Sequence, residues 1–192
     1  PISISSSLEG VKIYYPDLKT IPFVIGIILV LFFFQSYGTK TIGKFFGPMM
    51  LTWFSMLGIL GAMYTFQNIE IFKALNPVYA IELLKVHPDG FYVLGFVFLC
   101  TTGAEALYSD LGHCGIKNIR ISWIFVKATL LLNYFGQGAY LLTRENEKLT
   151  QIIDGKSITA NPFFLIMPDW FLPIGICIAT LSAIIAAQAL IT

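Results

Sequence analysis

The sequence predicts an all-α polytopic membrane protein, on three observations. Hydrophobic residues make up 56% of the 192 and charged residues only 12%, with a mean hydropathy of +0.76. Soluble domains carry roughly 25% charged residues, so about half the usual solvating charge is present. Apolar runs close to twenty residues recur along the chain, and a ~30 Å hydrocarbon core needs about that many at ~1.5 Å per residue. Finally, the connections between these runs alternate between short basic turns and longer stretches holding most of the acids.

Each element follows from its own pattern. Pro1–Glu9, "PISISSSLE", reads as the tail of a helix, and "IPFVIGIILVLFFFQSYG" (21–38) is a continuous apolar span with Pro22 in its first turn. "FFGPMMLTWFSMLGILGAMYTF" (45–66) follows the basic turn "TKTIGK". "FYVLGFVFLCTTGAEALYSDLG" (91–112) is interrupted by polar residues, and "IRISWIFVKATLLLNYFGQGAYLL" (119–142) comes after "HCGIKN". "FLPIGICIATLSAIIAAQALIT" (171–192) is the last span. An opening at Pro1 without Met and a stop inside "AAQALIT" lead us to expect a piece of a longer protein.

The short turns, 36–47 and 113–118, carry Lys40, Lys44 and Lys117, with Arg120 just beyond. The other connections hold Glu9 and Asp17, then Glu70, Glu82 and Asp89, then Glu145, Glu147, Asp154 and Asp169. Counting Lys and Arg density, the short turns are expected in the cytoplasm. "NPVYAIELLK" (76–85) has helical apolar spacing and reads as an interfacial helix or a surface loop; "ANPFFLIMPDW" (160–170) reads as an aromatic interfacial anchor or a surface loop.

Net charge is +1 and no Lys/Arg tract is present, so nucleic acid is not a partner. Cys100, Cys114 and Cys177 have no metal-ligand spacing, and His87 and His113 stand far apart in loops. With no nucleophile–base order, no H-E-x-x-H and no Walker loop, the sequence points away from an enzyme.

The chemistry concentrates in "TTGAEALYSDLGHCG" (101–115). Thr101, Thr102 and Gly103 are poor helix formers, and Glu105 lies two residues beyond. Backbone unwound in a membrane must be covered by protein or an aqueous cavity. Freed carbonyls, two hydroxyls and a carboxylate would make a hard-oxygen site for an alkali cation. The same Thr-Gly pair also serves as a close-packing notch between helices, and both readings stand on residues alone. Elsewhere, Asp110 is expected to pair near Arg120, Lys127 to pair with an acid on another helix, and "NYFGQGAY" (133–140) to make a tight contact with polar glue. Ser182 and Gln188 are expected to hydrogen-bond between helices.

"TTGAEALYSDLGHCG", "LLLNYFGQGAYLL", "NPFFLIMPDW", "FFGPMMLTWF" and "ALNPVYAI" resemble, in order and spacing, blocks of the KUP/HAK/KT potassium uptake permeases. The resemblance runs from Pro1 to Thr192. It implies part of a LeuT-type (APC superfamily-like) inverted-repeat transporter in the cytoplasmic membrane that imports potassium with protons and is surrounded by lipid. It implies no cofactor, and a homodimer in the full-length protein. On that map 1–9 is the end of the third span, and 21–38, 45–66, 91–112, 119–142 and 171–192 are spans four to eight, the sixth being broken. It places the potassium-coordinating threonine at Thr102, the acid at Glu105 and a serine close to the ion at Ser3, with backbone carbonyls near Thr101 and Gly103 contributing. Glu105 could coordinate the ion or carry the coupling proton. The family's first span, with its Gly-Asp and Tyr signature, lies outside this sequence, as do the acidic part of the third span and the C-terminal region. Other classes consistent with such a site are a potassium-binding channel-like or sensory membrane protein, and an amino-acid carrier of the same fold.

Overall fold

The computed structural model describes residues 2–15, 17–35, 43–100, 115–144, 149–153, 156–159 and 161–191. Helix α1 (Ile2–Ser7) runs into a 3-10 turn (Glu9–Ile13), then α2 (Thr20–Gln35) and α3 (Gly43–Thr65) follow. A second 3-10 turn (Ile69–Leu75) leads to α4 (Pro77–Val86) and α5 (Gly90–Cys100). Helix α6 (Ile116–Leu142) precedes a two-stranded antiparallel hairpin, β1 (Thr150–Ile153) and β2 (Lys156–Thr159), in which Thr150 pairs with Thr159 and Ile153 with Lys156. A short α7 (Pro162–Leu165) and the final α8 (Leu172–Ile191) complete the described chain. The fold is thus helical, with one hairpin that the all-α expectation did not include.

Among the described residues one helix, over Lys44–Thr65, is long and apolar enough to cross a membrane; Thr20–Phe33, Gly90–Leu99 and Leu172–Gln188 are apolar but shorter. Helix α6 has the length, but Lys117, Arg120, Lys127, Asn133 and Gln137 dilute its apolar character. Helices α2 and α5 are apolar on all sides and turn large side chains outward, Phe33 and Leu29 on α2 and Phe91 and Phe98 on α5 among them. Such faces suit a lipid solvent rather than water.

Asparagine–proline pairs set two of the helix starts. The Asn76 side chain accepts from the Val78 N–H at 3.1 Å, and the Asn161 side chain from the Phe163 N–H at 3.1 Å, each followed by proline at the first helical position. The side chain satisfies an otherwise orphaned donor, and proline has no donor to satisfy. Asn161 also reaches back to donate to Glu9 Oε2 at 3.3 Å. In the connection after α3, Lys73 donates to Glu70 at 2.9 Å, which holds the lysine above its ordinary pKa of 10.5. Inside α3, Pro48 interrupts the backbone ladder and Thr52 Oγ1 donates to its carbonyl at 2.9 Å.

The main core lies between α3, α6, α8 and the α7 segment: Met56, Leu57 and Leu60 meet Tyr140, Phe164, Ile166, Met167, Leu172 and Ile176. A smaller cluster joins Ile4 of α1, Val24 of α2 and Ala183 of α8. Of the segment 160–170, read from sequence as a surface loop or interfacial anchor, residues 161–170 are largely a plug. Phe164, Ile166 and Met167 are buried, and Trp170 alone among its large side chains is strongly exposed, at 74%. Phe164 fits because Gly10 leaves room; a Cβ there would lie 2.7 Å from the ring. Helix α4 forms as the spacing of 76–85 suggests, with every residue exposed.

Candidate cation site and the α3–α6 helix pair

Of the residues assigned to the cation site, Ser3 falls on α1, one residue from fully buried Ile4, and is itself exposed. Four residues on, the buried Ser7 hydroxyl donates to the Ile4 carbonyl at 2.8 Å. Thr101, Thr102, Gly103 and Glu105, and Asp110 with them, lie outside the described residues. The elements on either side are described. Helix α5 extends to Cys100, and α6 begins after Gly115, whose φ of +78° is open to glycine and strained for other residues. The chain therefore passes from a wholly apolar helix, through the polar stretch, into α6 at a glycine. Among the described residues no group of three His, Cys, Asp or Glu side chains could hold a metal ion.

Next in the chain, α6 packs against α3 in the closest helix contact described. A Cβ added to Gly136 would lie 2.6 Å from the Gly61 Cα, and one added to Gly61 would overlap the Leu132 carbonyl. Backbones approach this closely only where side chains are missing from both surfaces. Polar groups fill the remaining seam. Fully buried Thr65 donates to Gly61 O at 2.8 Å and to Leu132 O across the interface at 3.3 Å. Asn133 Nδ2 reaches Leu57 O at 3.4 Å and Asn133 Oδ1 accepts from Gln137 Nε2 at 2.5 Å. The Thr129 hydroxyl stays on its own helix, at 3.1 Å from Phe125 O and 3.0 Å from Val126 O. Tyr64 and Tyr140 close one end edge-to-face with centroids 5.5 Å apart.

The tight polar contact read into 133–140 is present. Its partner surface on α3 was not identified from sequence, although Gly58, Gly61 and Thr65 recur at helical spacing and would have marked it. The Lys127 ammonium sits 4.5 Å from the centroid of Trp123, one turn earlier on its own helix, while Glu105 and Asp110 lie outside the described residues. One other expectation needs correction. Ser182 donates within α8, to Ala179 O at 2.9 Å, because a serine hydroxyl in a helix reaches a preceding carbonyl more readily than a neighbouring helix.

Comparison with known proteins gives the context. A family model described as "K+ potassium transporter integral membrane domain" matches residues 1–192. The chain is 62% identical over its whole length to a probable potassium transport system protein Kup of Flavobacterium psychrophilum. It is 55% identical to the corresponding protein of Cytophaga hutchinsonii and 50% to that of Clostridium perfringens, again over its whole length. It spans about 29% of the length of the first two relatives and 30% of the third. No solved structure matches. The matched family is one of transporters, not an enzyme class, and lies in the cell membrane. With the whole of its sequence accounted for by one family model, the chain belongs to the K+ potassium transporter integral membrane domain family.

Proposed function

We propose that the protein containing this chain takes up potassium across the cell membrane in symport with protons. The observation that carries the reading is the identity of 62% over the whole chain to a relative described as a potassium transport system protein. The fold proposed is the LeuT-type inverted repeat, to which this chain contributes the end of the third span (1–9) and spans four to eight (21–38, 45–66, 91–112, 119–142 and 171–192). The full-length protein is proposed to be a homodimer in lipid.

In this reading potassium exchanges its hydration shell for oxygens at the break in the sixth span. Thr102 and Ser3 supply hydroxyl oxygens, backbone carbonyls near Thr101 and Gly103 supply more, and Glu105 supplies a carboxyl group. Symport requires proton and potassium to be bound in the same step; a Glu105 carboxyl that holds its proton still offers its carbonyl oxygen to the ion, so both cargoes travel in one loaded state. The composition supports the location: an acid inside an otherwise apolar span costs roughly +2.5 kcal/mol or more at the bilayer centre and is retained where function needs it.

The test is Glu105→Gln in the full-length protein, expressed in a strain lacking its own potassium uptake and grown at low potassium. Growth and proton-coupled rubidium influx should fall together. Undiminished influx that still responds to the proton gradient would remove Glu105 from the mechanism.

A further inference from the structure

We infer that α3 and α6 travel as one body through the transport cycle, an inference that rests on the transport reading above. Helices that shear during conformational change shift by about 1–2 Å across contacts made by interchangeable side-chain packing. The α3–α6 contact is of another kind. At Gly61 and Gly136 the two backbones touch with no side chain between them. A slip of four residues along α3 would bring Leu57 or Thr65 to the Gly136 window, where even a Cβ has no room. Smaller slides act on the polar seam. The bonds from Thr65 to Leu132 O and from Asn133 to Leu57 O, at 3.3 and 3.4 Å, are already near the limit of hydrogen-bond length. A further displacement of about 1 Å breaks both, leaving the buried Asn133 Nδ2 without its Leu57 partner while Thr65 keeps only its bond within α3. The edge-to-face tyrosine pair, Tyr64 with Tyr140, extends the contact by another turn.

The functional consequence comes from connectivity. Helix α6 starts at Gly115, directly after the stretch that carries Thr102 and Glu105. Movement carried along α6 as far as Thr129 is therefore passed to α3 from Gly58 onward, and these lengths of the two helices act as one lever.

A disulfide tests this. A Cβ placed on Gly58 would lie 3.4 Å from the Thr129 Cβ, near the ~3.5–4.5 Å that disulfides span. Replacing Thr129 also removes the Cγ2 that would crowd the new side chain at 2.9 Å. Gly58→Cys with Thr129→Cys is introduced into the full-length protein in membranes and oxidised. Cross-linking is read from fragments after cleavage between the helices, and rubidium uptake is read before and after reduction. Wild-type uptake, measured first, decides the transport reading separately. We expect cross-linking at the same rate with and without potassium, and uptake by the oxidised protein within about twofold of the reduced. Cross-linking that depends on potassium overturns the inference, as does uptake lost on oxidation and regained with reductant. So does failure of reactive thiols to join. If the variant does not reach the membrane, Tyr64→Cys with Tyr140→Cys, bridged by a short bis-maleimide, is read in the same way.

Discussion

Thr65 shares one buried hydroxyl proton between two carbonyl oxygens, that of Gly61 on its own helix at 2.8 Å and that of Leu132 on α6 at 3.3 Å. The bond within α3 would form in any helix. The second ties α3 to α6 where Gly61 and Gly136 have brought the backbones together. Small residues make the approach possible and the hydroxyl fixes the register, a division of labour common where apolar packing against lipid offers little net gain.

The first prediction concerns the glycines. Gly136→Val should destabilise the folded protein by about 1–3 kcal/mol or more, because its side chain has only backbone to push against. Gly26→Ala, where no neighbour lies within 4 Å among the described residues, should stay within about 1 kcal/mol of the parent. Thermal unfolding of the detergent-solubilised full-length protein, followed by tryptophan fluorescence, measures both. Equal melting temperatures for the two variants would contradict the backbone contact.

A second prediction addresses the polar pair on α6. Asn133 and Gln137 are hydrogen-bonded and partly or fully buried, so Asn133→Leu leaves Gln137 without that partner. Asn133→Leu and Gln137→Leu should therefore be non-additive, with a coupling of about 0.6–2 kcal/mol in a double-mutant cycle. Strict additivity would mean that the bond contributes nothing to the folded state.

The third prediction separates plug from anchor within one short segment. Phe164→Ala should cost about 3–5 kcal/mol, since the ring is 2% exposed and sits in the recess at Gly10 against the core. Trp170→Ala, six residues later and largely exposed, should change stability by no more than about 0.5 kcal/mol. The same unfolding measurement discriminates them, and a reversed order would place the segment outside the core.

What sequence disclosed depended on whether the signal was local. Runs of apolar residues place the long helices, and helical apolar spacing marks 76–85, because both effects act within a few residues. The hairpin also has a local sign in the sequence, since Asp154-Gly155, a dipeptide favoured in two-residue turns, stands between Thr150–Ile153 and Lys156–Thr159. By contrast, the plug depends on a recess at Gly10 far away in sequence, and prolines with aromatics look the same in an anchor as in a core. Lys127 illustrates a different limit, since a cation in a span can be accommodated by the face of Trp123 as well as by a carboxylate. For the cation site, Ser3 is the one assigned side chain within the described residues. The case for Thr102 and Glu105 rests on chemistry and kinship.

Pro48 has a mechanical consequence. Without an N–H it leaves the carbonyl of Lys44 outside the α-helical ladder, so the opening turn of α3 is fastened less firmly than the turns that follow. Gly58, Gly61 and Thr65, which grip α6, all lie beyond that joint. The helix is built like a pole clamped along its upper length and jointed near its foot, so bending strain collects at the foot and spares the clamp.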